Sequence, residues 1–274
     1  SLNVSNEALK HGINSKNNFF NFESVMDIKT FHTQTDIICA ANVICHIPDL
    51  VNLFKSVDKC LNKNGLFIFE EPYLGSMFEK TSYDQIYDEH IFMFSASSVQ
   101  KICLLFDMEL IDILKQETHG GSLRYVCARK NVYKVKTDVN YFIDKEKKNN
   151  LDNIHSCFEF KKNCENSKKN LKEKLLKLKE DNKKICGYAA TSKSTTILNY
   201  CNIGTEIIDF ICDTTPEKIG KFSPGMHIPI KPINYFHENY PDIAFLFAWN
   251  HKEEIFEKEK EFSNKGKWFA HVEL

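Results

Sequence analysis

The chain has 274 residues, more than one hydrophobic core usually organises, and its 42% apolar content is enough to build two. Its 36 Lys and Arg nearly cancel 37 Asp and Glu, leaving a net charge of -1 and no broad electrostatic footprint for nucleic acid. Arginine, the bidentate phosphate reader, occurs only at Arg124 and Arg129, which points the same way.

In chain order, residues 3–12 read as a short helix and 35–40 as an apolar strand. A helix over 50–61 follows, ended by Asn64-Gly65, and then a buried strand over 66–70. This alternation predicts a mostly parallel sheet. After an excursion from Pro72 to Phe94, residues 97–106 read as a helix capped by Ser95 or Ser97. Two more strands, 109–114 and 122–128, flank His119-Gly120-Gly121. From about 139 to 184 the composition shifts to Lys, Asn and Glu, with Leu151, Ile154, Phe158 and then Leu171, Leu175, Leu178 at helical spacing. These are amphipathic helices whose charges form a solvated face.

A second α/β unit opens at residues 184–190, followed by the turn Thr191-Ser192-Lys193-Ser194-Thr195-Thr196 and a helix over 197–201. Strand, small-residue turn and helix can cradle an anion, because the first backbone N–H groups of a helix are unpaired and point outward. The spacing matches neither G-x-x-x-x-G-K nor G-x-G-x-x-G, so this turn alone does not specify a nucleotide. Strands over 206–212 and 242–248, with Pro224-Gly225 and Pro229 in the loop between them, complete a small Rossmann-like sheet.

Ten cysteines are scattered singly from Cys39 to Cys212 with no C-x-x-C pair, which predicts reduced structural thiols. No apolar run approaches the roughly 20 residues that span a bilayer, and the opening residues do not read as a signal peptide. The cytoplasm is the expected compartment.

The chemistry concentrates in Tyr87-Asp88-Glu89-His90. An imidazole beside a carboxylate and a phenol, just past a strand end, is suited to taking a proton from carbon. Asn42-Val43-Ile44-Cys45-His46 follows an earlier apolar run, and His119-Gly120-Gly121-Ser122 precedes a later one. All three histidines lie on turns at strand ends, where open α/β sheets place ligands. His11, His32, His155, His237, His251 and His271 are assigned to surface or structure.

Taken together, the runs Ala41-Asn42-Val43-Ile44-Cys45-His46-Ile47-Pro48-Asp49, Tyr87-Asp88-Glu89-His90 and His119-Gly120-Gly121-Ser122-Leu123-Arg124 resemble the S-adenosylmethionine-dependent sugar C-methyltransferases. In the second half, Gly187-Tyr188-Ala189-Ala190-Thr191-Ser192-Lys193 and the run from Lys221 through Pro224-Gly225 to Ile230 are similar to that family's C-terminal domain. The resemblance covers essentially the whole chain, in the same order. It implies a methyl transfer to C-3 of a nucleoside-diphosphate 4-keto-deoxysugar. The implied fold is α/β: a partial Rossmann-like methyltransferase sheet over 1–131, a helical connection over 132–183, and a second, smaller Rossmann-like domain over 184–274.

The resemblance and the chemistry nominate His90 as general base. Glu89 would orient its imidazole, stabilise its protonated form or contact sugar hydroxyls. Tyr87 and His46 would hydrogen-bond the developing enolate oxygen. His119 and Gly120 are candidate substrate contacts, and Ser192 and Lys193 candidate contacts to the diphosphate. For S-adenosylmethionine the candidates are Phe19 and Phe20, whose rings could pack on adenine, with Ala41 and Asn42 at the next strand end. The family implies no catalytic metal in this portion; its zinc belongs to an N-terminal domain with clustered cysteines. Neither those cysteines nor the family's glycine-rich turn has a counterpart here, so the chain is expected to be a C-terminal portion. The expected partner is a nucleoside-diphosphate deoxysugar, with no nucleic acid and no membrane. Two other readings stay open: a non-catalytic binding module derived from this family, and a nicotinamide-dependent sugar oxidoreductase or epimerase, which lacks any dinucleotide fingerprint.

Overall fold

Two sheets, of four and five strands, organise the computed structural model, which describes residues 2–27 and 35–274. The first half runs α1 (Leu2–Lys10), α2 (Phe22–Asp27), β1 (Thr35–Ala41), a 3-10 turn at Ile44–His46, α3 (Leu50–Cys60) and β2 (Leu61–Pro72). Asp49 caps α3 by accepting from the Asn52 amide. Asn64-Gly65 does not end the helix as expected; it lies inside β2, which is longer than the apolar run suggested. A Cβ at Gly65 would lie 2.9 Å from the Thr35 carbonyl oxygen, so the missing side chain lets β1 approach β2.

The chain continues through α4 (Leu74–Lys80), a 3-10 turn at Tyr83–Gln85, α5 (Ala96–Leu104), β3 (Met108–Gln116) and β4 (Ser122–Arg129). Ser95 caps α5 in a capping box with Ser98. The strand order is β1-β2-β4-β3, and only β1 and β2 pair in parallel. The expectation of a mostly parallel first sheet is therefore corrected. Residues 117–121 are too few for a crossover, so β3 returns as a hairpin and β4 runs antiparallel to both neighbours. Phe54, Phe67, Phe69 and Tyr125, all at most 1% exposed, fill the core beneath this sheet.

The two connecting helices divide between cores. In α6 (Thr137–Lys148), Val139, Phe142 and Ile143 pack into the first core, and the buried Glu146 carboxylate accepts from the Ala96 and Ser97 amides at the start of α5. In α7 (Ile154–Glu180), Phe160, Cys164, Leu171 and Leu175 pack into the second. Met77 and Tyr83 of the first half join that second core, so the halves interlock.

The second half contains β5 (Ile185–Tyr188), α8 (Ser192–Cys201), β6 (Ile211–Asp213), β7 (Ile230–Pro232), α9 (Ile233–Glu238), β8 (Ile243–Leu246) and β9 (Lys267–Phe269). The order is β7-β6-β5-β8-β9, all parallel. Helix α8 begins five residues before the expected 197, because the Thr191 side chain accepts from the Ser194 amide. The expected strand at 206–212 contracts to β6, since the Ile207 and Ile208 amides turn back to the Gly204 carbonyl. Strands β7 and β9 have three residues each, too short to show a period.

All ten cysteines are free and seven are buried. Among the described residues, no helix is long and apolar enough to cross a membrane.

Candidate active site

The segment carrying Tyr87 and His90 follows the Tyr83–Gln85 turn and docks onto the Ile44–His46 turn beyond β1. The Ile91 and Phe92 amides donate to the Cys45 carbonyl at 3.0 and 3.2 Å. That docking brings the His46 ring within 5.3 Å of the His90 ring, edge to face. The Tyr87 ring lies 4.0 Å from the His90 ring at 34°.

His90 Nδ1 lies 2.8 Å from the Gln85 backbone carbonyl oxygen. A carbonyl only accepts, so Nδ1 carries the proton and Nε2 keeps the lone pair. Burial lowers the His90 pKa below the ordinary imidazole value, against the opposing pull of the Gln85 bond, and the charges of His46 and Lys193 add to the lowering. Burial also pushes the Tyr87 phenol up to about 12, so Tyr87 stays a hydrogen-bond donor at neutral pH. Glu89 is exposed and reaches His90 only through its charge; the orienting bond comes from Gln85.

Glu71, at the C-terminal end of β2 and fully buried, shapes the facing turn. Its carboxylate accepts from the Val43 and Ile44 amides at 3.1 and 2.7 Å. Burial raises its pKa, and burial likewise pushes the neighbouring Cys45 thiol well up, reinforced by its hydrogen bond to Glu71. The sequence offers no ligand cluster, yet the fold makes one. Donor atoms of Cys45, His46 and His90 lie within 4.8 Å of one another, a grouping able to hold a metal ion.

Ala41 is exposed at the end of β1, and Asn42 follows it with φ 52°. Asn42 Oδ1 is buried without a hydrogen-bond partner, an acceptor that fits a donor from a bound cofactor. Phe19 and Phe20 lie in the irregular stretch between α1 and α2, 88% and 43% exposed.

The His119 turn is fastened by Glu70, which accepts from Thr118 Oγ1 at 2.7 Å and from Arg124 Nη2 at 2.8 Å. His119 has φ 52°. Its pKa is lowered to about 4, first by burial and then by the charges of Lys193, His90 and His251. Gly120 is needed for packing: a Cβ there would lie 2.0 Å from the Trp249 ring. The Lys80 ammonium donates to its carbonyl.

Ser192 is exposed at the first position of α8. Lys193 is instead buried, with Nζ 3.0 Å from Asn250 Oδ1, 3.9 Å from Asp84 Oδ2 and 4.9 Å from the Trp249 ring centroid. Burial lowers its pKa. Beside it opens a cavity of about 870 Å³ lined by Lys80, Gly120, Trp249, Asn250 and His251 among others; His46, Tyr87 and His90 do not line it. Of the histidines assigned to surface or structure, His11 pairs with Glu7 and His237 with Glu259, and His155 and His251 are exposed. The His271 side chain is wholly buried against Asp84. His32 lies outside the described residues.

Sequence reasoning missed Gln85, Glu71, Cys45 and Asp84. Gln85 acts through its backbone, which leaves no side-chain signal; Cys45 beside His46, and Glu70-Glu71 closing an apolar strand, were visible hints.

Residues 117–272 match the C-methyltransferase C-terminal domain, and residues 3–113 match a methyltransferase domain. C-methyltransferase NovU of Streptomyces niveus is 30% identical over 268 residues, covering 96% of this chain and 63% of NovU. The chain thus spans somewhat less than two thirds of that relative's length. It belongs to the C-methyltransferase family.

Proposed function

We propose that the chain serves S-adenosylmethionine-dependent methylation of C-3 in a nucleoside-diphosphate 4-keto-deoxysugar, with His90 as the general base. The observation that carries this reading is the Nδ1 bond of His90 to the Gln85 carbonyl, which leaves Nε2 free to accept a proton. A carbon next to a ketone becomes nucleophilic once it loses a proton, and a positioned base is worth about 10²–10⁴-fold in rate. The lowered His90 pKa keeps Nε2 unprotonated at neutral pH.

Removing that proton places negative charge on the ketone oxygen. Tyr87, protonated at neutral pH, and His46 flank His90 and are suited to hydrogen-bond that oxygen. Bound S-adenosylmethionine supplies an electrophilic sulfonium methyl. Ala41 and the unpartnered Asn42 Oδ1 are the residues that would hold it, with Phe19 and Phe20 as exposed rings for adenine. Neutral His119 and the exposed Ser192 amide and hydroxyl are suited to the sugar and its diphosphate. Lys193 adds positive charge, part of which Asp84 already compensates. The relative's name, that of a C-methyltransferase, supports carbon as the acceptor.

The test is transfer of labelled methyl from S-adenosylmethionine to such a 4-keto sugar, with the methylated position read by NMR. His90→Asn should lower turnover at least about 100-fold with the fold intact. Undiminished transfer by that variant would remove His90 as the base.

A further inference from the structure

Asp84 sits in the Tyr83–Gln85 turn, directly before the residue whose carbonyl holds His90, and its side chain is 0% exposed. Trp249 Nε1 donates to Oδ2 at 2.8 Å, and His271 Nε2 donates to Oδ1 at 3.1 Å. Lys193 Nζ stands 3.9 Å from Oδ2. All three partners belong to the second α/β unit, so a carboxylate of the first half is held entirely by side chains of the second. Burial alone would raise its pKa; the His271 and Trp249 bonds and the Lys193 charge outweigh burial and keep it ionised.

The turn is also clamped on its other sides. Tyr83 hydrogen-bonds Cys201 Sγ at 3.4 Å and packs its ring 5.1 Å from the His271 ring. The Gln85 amide nitrogens, main chain and side chain, donate to Ser82. Trp249 is itself fixed, because its ring fills the space beside Gly120. The Gln85 carbonyl shares its peptide plane with the Ile86 amide, which donates to the Tyr83 carbonyl at 3.1 Å, so its direction is tied to the turn that Asp84 anchors.

We propose that Asp84, anchored by Trp249 and His271, is a positioning residue that fixes the Gln85 carbonyl and, through it, the tautomer and orientation of His90. The second α/β unit thereby sets the geometry of a base that lies in the first half. This rests on His90 being the base, and its test separates the two claims.

The test is ¹⁵N NMR of the histidine-labelled chain, with the His90 signals identified by His90→Gln. The wild-type chain should show a single tautomer protonated at Nδ1. Asp84→Asn and Trp249→Phe, the latter deleting one N–H while keeping an aromatic ring, should each give a mixture of tautomers. Methyl-transfer kcat should fall roughly 10- to 100-fold at unchanged KM. The acid limb of kcat/KM should move to lower pH, because the Gln85 bond that favours the protonated ring is weakened. A merely structural loss would lower the plateau without moving the limb. If Asp84→Asn does not fold, Trp249→Phe and His271→Gln carry the same readout. An unchanged His90 tautomer in the folded variants overturns the proposal. A tautomer that responds in a chain without methyl-transfer activity upholds it and overturns the methyltransferase reading alone.

Discussion

His90 and Gln85 are joined by a 2.8 Å hydrogen bond from imidazole to backbone carbonyl, which leaves Nε2 as the proton-accepting atom of that ring. The donor side of this bond is set by chemistry, since a carbonyl oxygen carries no proton to give. The tautomer of His90 is thus set by a main-chain atom five residues upstream.

The same ring predicts the pH dependence of turnover. Burial lowers the His90 pKa from 6.5, and a base must be unprotonated to act. Activity should therefore persist below the pH at which a free imidazole would be half protonated. The acid limb of kcat/KM should report an apparent pKa under 6.5; a limb above it would contradict the burial found here.

His119 predicts a pH dependence of stability. Its folded pKa is about 4 against an ordinary 6.5, so between these values the unfolded chain takes up a proton that the folded chain refuses. Its contribution is fully present above 6.5 and declines as pH falls toward 4. His119→Gln should flatten that part of the curve, measured as urea midpoints at neutral pH and at about pH 5. An unchanged slope would mean that the His119 ring is freely solvated.

Gly120→Ala should destabilise the chain. The new Cβ would lie 2.0 Å from the Trp249 ring at a residue whose φ is +83°. Overpacking and left-handed strain together predict a loss of about 2 kcal/mol or more in urea unfolding. Adding Trp249→Phe should restore part of it. A loss within experimental error would show that Trp249 moves freely.

Glu71 should be replaceable by Gln but not by Ala. Its carboxylate serves the Val43 and Ile44 amides, and Glu71→Ala leaves both without their acceptor. The expected cost is about 1–3 kcal/mol per amide left unpaired. Gln keeps one oxygen acceptor and removes a buried ionisable group, so Glu71→Gln should stay within about 1 kcal/mol of wild type. Equal losses for both variants would contradict the assigned role.

The sequence showed the histidine-bearing turns because they stand beside apolar runs: His46 after β1, His90 before α5, His119 before β4. The length of β2 and the early start of α8 were not legible. Gly65 and the Thr191-Ser192 run read as punctuation, while pairing to β1 and the Thr191 cap override that local signal. Lys193 read as a candidate diphosphate contact, and its burial against Asp84 and Trp249 was not legible because it joins residues far apart in sequence. The same separation hid the Cys45, His46 and His90 grouping, and no local pattern announces a contact such as that between Asp84 and His271.

The most direct test of His90 as the base is solvent exchange at the substrate carbon. A nucleoside-diphosphate 4-keto-deoxysugar incubated with the protein in D₂O should lose its C-3 proton signal faster than in buffer. His90→Asn should return exchange to the buffer rate. Exchange that proceeds equally with His90→Asn would contradict the assignment of the base.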